Sequence, residues 1–503
     1  MKKQWMLDRT VRHALEETWA VFSNATDAPN PALFLARLTA LARSNAFLWT
    51  EAGLQLQERS TRVVPIGQSL SRALVLTAVA ADIFIGYTSL RERAKWAHSL
   101  VEPKDWELQH QRSANRVLET AASLGGALIK ACQFASTRPD LLPAVYIRTL
   151  APLQDRMPPR PWREIKRAIT HELGRRPRDV FAQIEREPVA AASIGQVHRA
   201  TLHDGRKAAV KVQYPDIENL VTTDLAVLEQ IVKAIARLAP AIQLQPIVDY
   251  LKETLPLELD FHHEAESTTS LRAALAHRSE ALVPAVMSDL STEHLLVMEF
   301  VEGIKITDRE ALEQASISPH EVARLLNDLY AEQLLHLGIL HADPHPGNLL
   351  VQPGPRLVLL DHGLTVPLAP SLVDSLRKMV RALTSGDLAG LSGALAEAGL
   401  QLNGQGDITT LLQLVGVLLG NDQSGEMAQD MDAMGVSMQI GKSIGTIPTD
   451  LLLVGRALGL LDGITKQLDP NMDTLEIVAH YAWRAGVVGG QDGDQDGGKP
   501  HPY

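Results

Sequence analysis

The sequence predicts an α+β fold of two lobes, in which a small lobe rich in β-strands precedes a helical lobe, with extra helices at both ends. Short apolar runs separated by turn residues are concentrated between residues 178 and 302, which favours strands there. Leucines at helix-face spacing dominate on either side of that region. Aromatic residues make up only 4% of the 503 residues, while alanine and leucine are abundant, so helix should prevail overall.

Changes in hydrophobic period and in turn residues divide the chain into predicted segments. The last segment is rich in Gly, Asp and Gln and carries too little apolar surface to fold. The segments are a helical N-terminal extension (1–122), a helical insert (123–177), the strand-rich lobe (178–302), the helical lobe (303–400), C-terminal helices (401–488) and a disordered tail (489–503).

Composition and charge exclude several classes of protein. An apolar fraction of 45% and a charged fraction of 21% are those of an ordinary globular chain. The net charge of −11 argues against a nucleic-acid partner. Cys132 is the only cysteine, so no intrachain disulfide can form, which suits a reducing compartment. We expect a protein that is not secreted and lies in the cytoplasm or peripherally on the cytoplasmic face of a membrane.

The N-terminal extension contains two stretches with membrane-related features. We expect neither a signal peptide nor a membrane-spanning helix from them. Asp8, Arg9 and Arg12 interrupt the initial apolar run, so no signal peptide is predicted. Residues 73–87 are the most membrane-like stretch, but they include Asp82 and are shorter than the roughly 20 apolar residues that a span needs. A buried helix is favoured, with a membrane-surface helix as the alternative.

The strand-rich lobe contains small residues ahead of a hairpin. Asp204-Gly205 between two apolar runs predicts the hairpin turn, and Lys211 lies on the second strand between Val210 and Val212. A lysine that faces inward there needs an anionic partner. Small side chains ahead of the hairpin let the backbone approach a phosphate closely. This stretch is Ala190, Ala191, Ala192, Ser193, Ile194, Gly195 and Gln196, followed by Val197.

Two further features of this lobe could contribute to binding a ligand that carries phosphate. Glu258, Asp260 and Glu264 lie on predicted helix and could pair with the lysine, although an exposed acidic helix face is an equally good interpretation. Residues 295–303 predict a strand that leaves the sheet through a glycine, although any buried edge strand shares this pattern. Backbone groups of that strand could hydrogen-bond an adenine ring, at Glu299 and Val301 with Met298 behind the ring.

The loop over residues 341–348 is the most informative stretch of the chain. Two prolines and a glycine exclude a helix there. The apolar runs 349–351 and 357–360, separated by Pro353-Gly354-Pro355, predict a tight hairpin. The loop and the hairpin end thereby carry an acid, an amide and a second acid: Asp343, Asn348 and Asp361.

This acid–amide–acid spacing is typical of the catalytic half of a protein-kinase-like phosphotransfer site. Phosphoryl transfer needs metal ions held against the phosphates and an oriented nucleophile. Asp361 and Asn348 are the predicted Mg²⁺ ligands, and Asp343 would accept a proton from a hydroxyl or orient a water. A Pro/Gly-rich surface turn with solvated acids would explain a lone acid–amide pair, but the hairpin and Asp361 in register favour the catalytic interpretation.

Helices are predicted on both sides of this loop. Ser318 as N-cap, Pro319 at the first helical position and Glu321 in a capping box begin a helix that should end near Gly338. Later helices are predicted over residues 372–383, 388–400, 408–419, 451–461 and 475–483.

Taken together, these motifs resemble the UbiB (AarF) family of atypical protein-kinase-like ATPases, over residues 123 to about 469. Lys130 and Gln133 match the family's K-x-G-Q motif, although spacing alone would make Lys130 a surface residue. Residues 190–196 match its alanine-rich loop. The remaining matches are Lys211 and its helix partner Glu264, the E-x-D pair Glu258 and Asp260, the catalytic acid Asp343, and the metal ligands Asn348 and Asp361.

The resemblance implies a protein-kinase-like fold that binds ATP or ADP with Mg²⁺. It counts Lys130 with Asp343 and Lys211 among the catalytic residues, and it makes Lys130, Gln133, Glu258 and Asp260 a regulatory lid over the place of a protein substrate. We therefore expect ATP hydrolysis or phosphorylation of a small molecule. Family members support quinone synthesis and membrane lipid balance, so the expected partners are a lipid or quinone precursor, biosynthetic proteins and a peripheral membrane surface.

Two departures from the family pattern bear on these expectations. Cys132 stands where the K-x-G-Q motif has glycine, so the helix must sit differently or tolerate a small apolar group. Asp361-His362-Gly363 replaces D-F-G, a variant that resembles a mitochondrial branch linked to lipid homeostasis. The pathway therefore stays open between quinone and lipid metabolism.

Two other interpretations remain from the sequence. A nucleotide-sensing scaffold would bind ATP or ADP through the same loop and turn it over little. A metal site, typically for zinc, could be built from His341, Asp343 and His345 with help from His262 or His263, although a proline-broken loop does not align such ligands well.

Overall fold

The computed structural model of the chain describes residues 65–96, 102–136, 142–150, 153, 159–238, 244–402, 444–446, 448–472 and 474–486. The predicted helix at 408–419, the predicted tail and the first 64 residues lie outside this part. The described helices are α1 (Pro65–Trp96), α2 (Pro103–Leu124), α3 (Ala127–Ala135), α4 (Ala144–Leu150), α5 (Trp162–Leu173), α6 (Pro177–Val180), α7 (Ile217–Leu238), α8 (Gln245–Leu259), α9 (Phe261–Ala274), α10 (Arg309–Gln314), α11 (Pro319–Glu332), α12 (Pro370–Ser385), α13 (Leu388–Glu397), α14 (Thr449–Leu468) and α15 (Thr474–Arg484).

Strands occupy the middle of the chain and two short segments near its end. They are β1 (Phe181–Ile184), β2 (Ala190–Ala191), β3 (Gly195–Leu202), β4 (Lys207–Gln213), β5 (Ala281–Leu282), β6 (Leu295–Glu299), β7 (Ile304–Lys305), β8 (Ile339–His341), β9 (Leu349–Gln352), β10 (Arg356–Leu359), β11 (Thr365–Pro367), β12 (Gln401–Leu402) and β13 (Ile444–Thr446).

The chain divides into two compact units, which do not follow the predicted segments. The first comprises residues 1–157 and 216–253, and the second comprises residues 158–215 and 254–503. The segment containing α7 interrupts the strand-rich lobe in sequence and belongs to the first unit. This division into compact units does not test the predicted segment limits, which stay predictions.

The first unit is a helical assembly with its own apolar core. Helix α1 packs against α2 and α7, and α3 packs against α7 as well. A buried ion pair between Arg72 of α1 and Asp224 of α7 lies beside this core. Arg72 also donates to the carbonyl oxygens of Leu124 at 2.5 Å and Gly125 at 3.3 Å. The pair thereby fixes the turn that leads into α3.

Helix α1 is longer than the predicted stretch 73–87. Within the described residues, one helix segment, Ser71–Lys95, is long and apolar enough to cross a membrane by length and composition. Only 22% of its most apolar window is buried inside the protein. The length argument for a buried helix was therefore wrong. Because core helices can have the same composition, peripheral membrane contact stays a prediction.

An antiparallel sheet forms the strand-rich part of the second unit. Its order is β1-β3-β4-β6, and β2 pairs with β3. Val197 of β3 lies opposite Lys211 of β4, which in turn lies opposite Leu296 of β6. Directly opposed residues project on the same face of a sheet, so these three side chains share one face. The turn at Gly205, with φ of 89°, makes the predicted hairpin.

A second sheet carries the predicted tight hairpin. Strands β9 and β10 pair antiparallel from Leu349↔Leu359 to Gln352↔Arg356, which confirms the prediction. Strands β5 and β7 flank this hairpin, giving the order β5-β10-β9-β7. The separate pair β8 and β11 brings His341 opposite Thr365, so the ends of the loop and of the hairpin lie side by side.

Helices α11 to α15 build the large apolar core of the second unit, and α14 packs against α11. Ser318 caps α11 by accepting the Glu321 N–H at 3.4 Å, as predicted. After α11 the chain makes a wide π-helical turn over Gln333–Leu337. It stops at Gly338, whose φ of 64° suits glycine. This ending confirms the predicted helix limit and delivers the chain into β8.

The later helices also form close to their predicted positions. Helix α12 covers the predicted stretch 372–383, α14 covers 451–461 and α15 covers 475–483. Helix α13 ends at Glu397 rather than at residue 400. The reason is Gly399, whose φ of 91° is incompatible with a continuing helix.

Candidate active site

Lys211 lies at the centre of the site. Its Nζ donates to both carboxylate oxygens of Glu264 at 2.7 Å and is 3.3 Å from Oδ2 of Asp361. Lys211 and Glu264 are 8% and 3% exposed, so their charges are desolvated and depend on each other. Strand β4, helix α9 and the residues after β10 thus bring together three side chains that the sequence had singled out.

Burial and neighbouring charges have opposing effects on the pKa values in this cluster. Burial disfavours the Lys211 ammonium, but Asp361 and Glu264 outweigh that effect and hold its pKa above the ordinary value. Burial raises the pKa of Glu264, and the negative charge of Asp361 acts in the same direction against the pull of Lys211. Two carboxylates facing one ammonium leave the cluster suited to an additional cation.

Asp361 adopts a strained backbone conformation. Its φ is 55°, in the left-handed region that non-glycine residues rarely occupy. Its side chain is 45% exposed, in contrast to Glu264, so it can reach a ligand from solvent. Strain of this kind persists where the surrounding structure imposes it, commonly at functional sites. The N–H of Leu360 donates to the Asn348 carbonyl at 2.8 Å, which links this turn to the loop over residues 341–348.

Hydrogen bonds join Asp343 and Asn348 within the loop over residues 341–348. The Asn348 side-chain nitrogen donates to the backbone oxygen of Asp343 at 3.2 Å and to its Oδ2 at 3.4 Å. Because the amide nitrogen faces Asp343, the amide oxygen is left as the atom that a metal would take. An amide oxygen and the Asp361 carboxylate are hard oxygen donors, which fits Mg²⁺.

The buried His341 side chain holds the start of this loop through hydrogen bonds. Its Nε2 lies 3.1 Å and 3.0 Å from the carbonyl oxygens of Leu360 and Asp361, so this nitrogen donates. Its Nδ1 then accepts from the Tyr330 hydroxyl at 2.7 Å. Burial lowers the pKa of His341, which keeps the ring neutral. Both ring nitrogens are engaged in structural hydrogen bonds, which argues against the alternative metal site built from His341, Asp343 and His345.

His362, at the middle of the Asp-His-Gly motif, is also a buried structural residue. Its Nε2 donates to the Leu359 carbonyl at 3.1 Å, and its ring centroid lies 5.2 Å from that of His341. Burial and then the neighbouring His341 lower the pKa of His362 to about 3. A neutral, hydrogen-bonded ring therefore occupies the motif's middle position.

The alanine-rich loop is a tight turn between β2 and β3. The Ala192 N–H donates to the Gly195 carbonyl at 2.8 Å. A Cβ on Gly195 would lie 2.5 Å from the Val212 carbonyl oxygen, so the neighbouring backbone requires glycine here. Ile194 is buried, and its carbonyl accepts the Tyr214 N–H at 2.8 Å. The small side chains of Ala190, Ala191 and Ser193 complete the turn.

Gln196 differs from the sequence expectation. Its side chain accepts the Arg160 N–H at 2.8 Å and donates to His198 Nε2 at 2.9 Å, and the residue is 1% exposed. Strand alternation places it on the face opposite Lys211. A nucleotide contact through the Gln196 side chain is therefore excluded, and only its backbone could take the predicted role. Val197 shares the face of Lys211.

The predicted adenine edge lies at the end of β6. Met298 is buried opposite Ala209, on the face that carries Lys211. The Glu299 N–H donates to the Ala285 carbonyl at 2.8 Å, so its carbonyl is the group suited to the predicted role. Val301 follows as the chain leaves the sheet. A Cβ on Gly303 would lie 2.9 Å from Cβ of Leu350, which explains the glycine at this exit.

The E-x-D residues are not an exposed acidic face. Glu258 is 9% exposed at the end of α8, and its charge contributes to the raised pKa of Glu264. Asp260 is the N-cap of α9, where its Oδ1 accepts the His262 N–H at 2.8 Å. Asp260 therefore sets the start of the helix that carries Glu264. The interpretation as a solvated acidic helix face is wrong for Glu258 and Glu264.

The K-x-G-Q residues belong to α3 of the first unit. The Gln133 side chain donates to the Leu153 carbonyl at 3.4 Å. Cys132 is buried, and burial raises the pKa of its thiol to about 12, so it behaves as a small apolar group. The regulatory role of Lys130 and Gln133 stays a prediction.

Two residues near the site were missed from the sequence. Ala209 shares the face of Lys211, and strand alternation could have found it. Arg456 of α14 donates from Nη2 to Oδ1 of Asp343 at 2.7 Å across a separation of 113 residues. No local sequence pattern connects these two positions.

Comparison with known proteins shows the family to which the sequence of this chain is similar. Residues 152–394 match the family model described as the ABC1 atypical kinase-like domain. A Gallus gallus protein named AarF domain-containing protein kinase 1 is 30% identical over 449 residues, covering 86% of this chain and 84% of that protein. Its Xenopus tropicalis namesake is 36% identical over 284 residues, covering 56% of this chain but only about half, 54%, of that protein.

Among solved structures, a Mycobacterium tuberculosis protein in complex with erythromycin is similar at 24% identity with a TM-score of 0.46, covering 71% of this chain and 96% of that one. The family match confirms the predicted α+β, protein-kinase-like fold. It also confirms that the chain is kinase-like in its central domain. The chain belongs to the ABC1 (UbiB/AarF) family of atypical kinase-like proteins.

Proposed function

We propose that this protein binds Mg-ATP and either hydrolyses it or phosphorylates a small molecule, in support of ubiquinone biosynthesis or membrane lipid homeostasis. The observation that carries the proposal is the convergence of Lys211, Glu264 and Asp361. A buried lysine fixed by a helix carboxylate, beside an acid open to solvent, is the arrangement that phosphate recognition in kinases requires. The pathway rests on the family resemblance.

Each residue has a chemical task in this proposal. Lys211, oriented by Glu264, would bind phosphate oxygens, and Asn348 with Asp361 would hold Mg²⁺. The metal, when bound, neutralises phosphate charge and orients the transferred group. Asp343 would take the proton of an attacking hydroxyl, or orient a water, on the same loop that presents Asn348.

Replacement of Asp361 by Ala tests this proposal. We expect metal-dependent ATP turnover to fall about 100-fold or more, because one of two metal ligands is lost. The matched control is Asp374→Ala, an exposed acid on α12 that pairs with Arg377. Turnover is measured at steady state against Mg²⁺ concentration. Equal turnover in wild type and Asp361→Ala would refute the assignment.

A nucleotide-sensing scaffold is the second candidate. It is favoured by the alanine-rich loop, which is fixed by hydrogen bonds at Ala192, Ile194 and Gln196 and could hold phosphates without letting them react. Steady-state ATPase assays with and without liposomes and a phenol-like quinone precursor separate the two. Stimulated turnover supports the enzyme, whereas nucleotide binding with unstimulated, negligible turnover supports the scaffold.

A further inference from the structure

The loop over residues 341–348 carries a negative charge that is uncompensated within the loop, which is unfavourable in a site that binds phosphates. Residues 341–348 contain Asp343 but no lysine or arginine. A carboxylate beside a triphosphate is repelled by it, and the repulsion is strong where water is partly excluded. Phosphotransfer sites offset such charge with cations placed close to the reacting groups. Lys211 pairs with Glu264 and Asp361, so within the protein a different side chain would have to offset the charge of Asp343.

Arg456 provides a cation at that position. Its Nη2 lies 2.7 Å from Oδ1 of Asp343, and the two side chains are 14% and 22% exposed. A partly desolvated, charge-assisted hydrogen bond is stronger than a surface ion pair. It also fixes the carboxylate, because Arg456 contacts Oδ1 while Asn348 is 3.4 Å from Oδ2.

The helix that presents Arg456 is held firmly in the second unit. Leu453, Val454 and Ala457, close to Arg456 along α14, are buried in the core. The Asn327 side chain of α11 donates to Oγ1 of Thr465 at 2.7 Å and ties the two helices together. A side chain on such a rigid element can position its partner closely.

We propose that Arg456 is the positioning residue of the phosphotransfer site, which orients the Asp343 carboxylate and neutralises its charge so that the terminal phosphate of ATP can bind beside it. This inference rests on the proposed function. It predicts a larger effect on ATP than on ADP, because only ATP carries the third phosphate. An inhibitory role for the contact would have the opposite sign, since breaking it would then strengthen binding or raise turnover.

The test compares Mg-ATP and Mg-ADP affinities by titration calorimetry. Arg456→Met should weaken Mg-ATP binding roughly tenfold, the size of one charge-assisted hydrogen bond, and change Mg-ADP binding much less. Arg456→Lys keeps the positive charge but lacks the planar guanidinium group, so it should recover part of the lost Mg-ATP affinity. The double variant Asp343→Asn, Arg456→Met should recover ATP binding, because the charge that required compensation is gone.

Controls separate this effect from misfolding and from failure of the proposed function. Arg324→Met, at an exposed position on α11, is the matched control and should bind like wild type. Thermal unfolding without nucleotide checks each fold, and Arg456→Lys with the double variant carries the test if Arg456→Met does not fold. An unchanged ratio of ATP affinity to ADP affinity in these variants overturns the role of Arg456 and leaves the proposed function standing. A wild-type protein that binds neither nucleotide overturns the proposed function with it.

Discussion

Burial and charge act in opposite directions at Lys211. Taking an ammonium out of water costs several kcal/mol, and Lys211 is only 8% exposed. Two carboxylates outweigh that cost, so the pKa of Lys211 is raised rather than lowered. Glu264 is the more buried of the two partners. It would therefore remain as the counter-ion of Lys211 if Asp361 bound a metal ion as proposed.

Glu264→Gln should lower the stability of the second unit by about 1 to 3 kcal/mol, because Lys211 keeps only Asp361, a half-exposed partner. Hydrogen exchange of strands β3 and β4 measures the loss. The double variant Lys211→Met, Glu264→Leu should recover most of it, since an apolar pair needs no counter-ion. Unchanged exchange in Glu264→Gln would mean that the pair contributes nothing to folding.

Single residues also mark where sequence reasoning stops. The pairing of Lys211 with an acid was predictable, because an inward lysine on a strand needs an anion. The face of Gln196 and the partner of Asp343 were not. Gln196 is set by its bond to Arg160, and Asp343 by a helix that follows 113 residues later. Such contacts depend on tertiary packing, which leaves no local signature.

At the scale of elements, local signals predicted well where they lie within a few residues of each other. The cap at Ser318, the turn at Gly205 and the hairpin β9–β10 were all predicted and are all present. The wide turn over Gln333–Leu337 was not predicted, because it arises where α11 must meet β8. The predicted helix limit at Gly338 nevertheless held, since a positive φ is a property of the residue itself.

Gly195→Ala tests the tightness of the alanine-rich loop. The added Cβ would lie 2.5 Å from the Val212 carbonyl, and backbone cannot move away cheaply. We expect nucleotide affinity to fall about tenfold or more and the sheet to lose about 2 kcal/mol. The control is Gly393→Ala inside α13, where nothing lies within 4 Å of the new Cβ, and stability should rise slightly. Equal behaviour of the two variants would contradict this account.

At the scale of the whole molecule, the site is assembled from segments far apart in sequence. Strand β4, helix α9, the loop before β9 and helix α14 all contribute to it within the second unit. The family match over residues 152–394 covers the first three of these but ends before α14. Arg456 therefore lies outside the matched domain although it contacts Asp343 within that domain.

The first unit has its own internal anchor, the ion pair of Arg72 and Asp224. Arg72→Met should destabilise this unit by about 3 kcal/mol, because Asp224, which is fully buried, loses its counter-ion. Hydrogen exchange in α1 and α7 measures the effect. The double variant Arg72→Met, Asp224→Leu should recover only part, since the carbonyl oxygens of Leu124 and Gly125 still lose their donor. Full stability of Arg72→Met would contradict the anchoring role.

The left-handed backbone of Asp361 has an evolutionary consequence. Glycine would occupy φ of 55° without this strain of about 1 kcal/mol, but it would remove the carboxylate that lies 3.3 Å from Lys211. If Asp361 holds a metal ion as proposed, selection for activity would retain aspartate at this codon in spite of the backbone strain. Backbone stability and the proposed metal binding thus place opposing demands on one position of this chain.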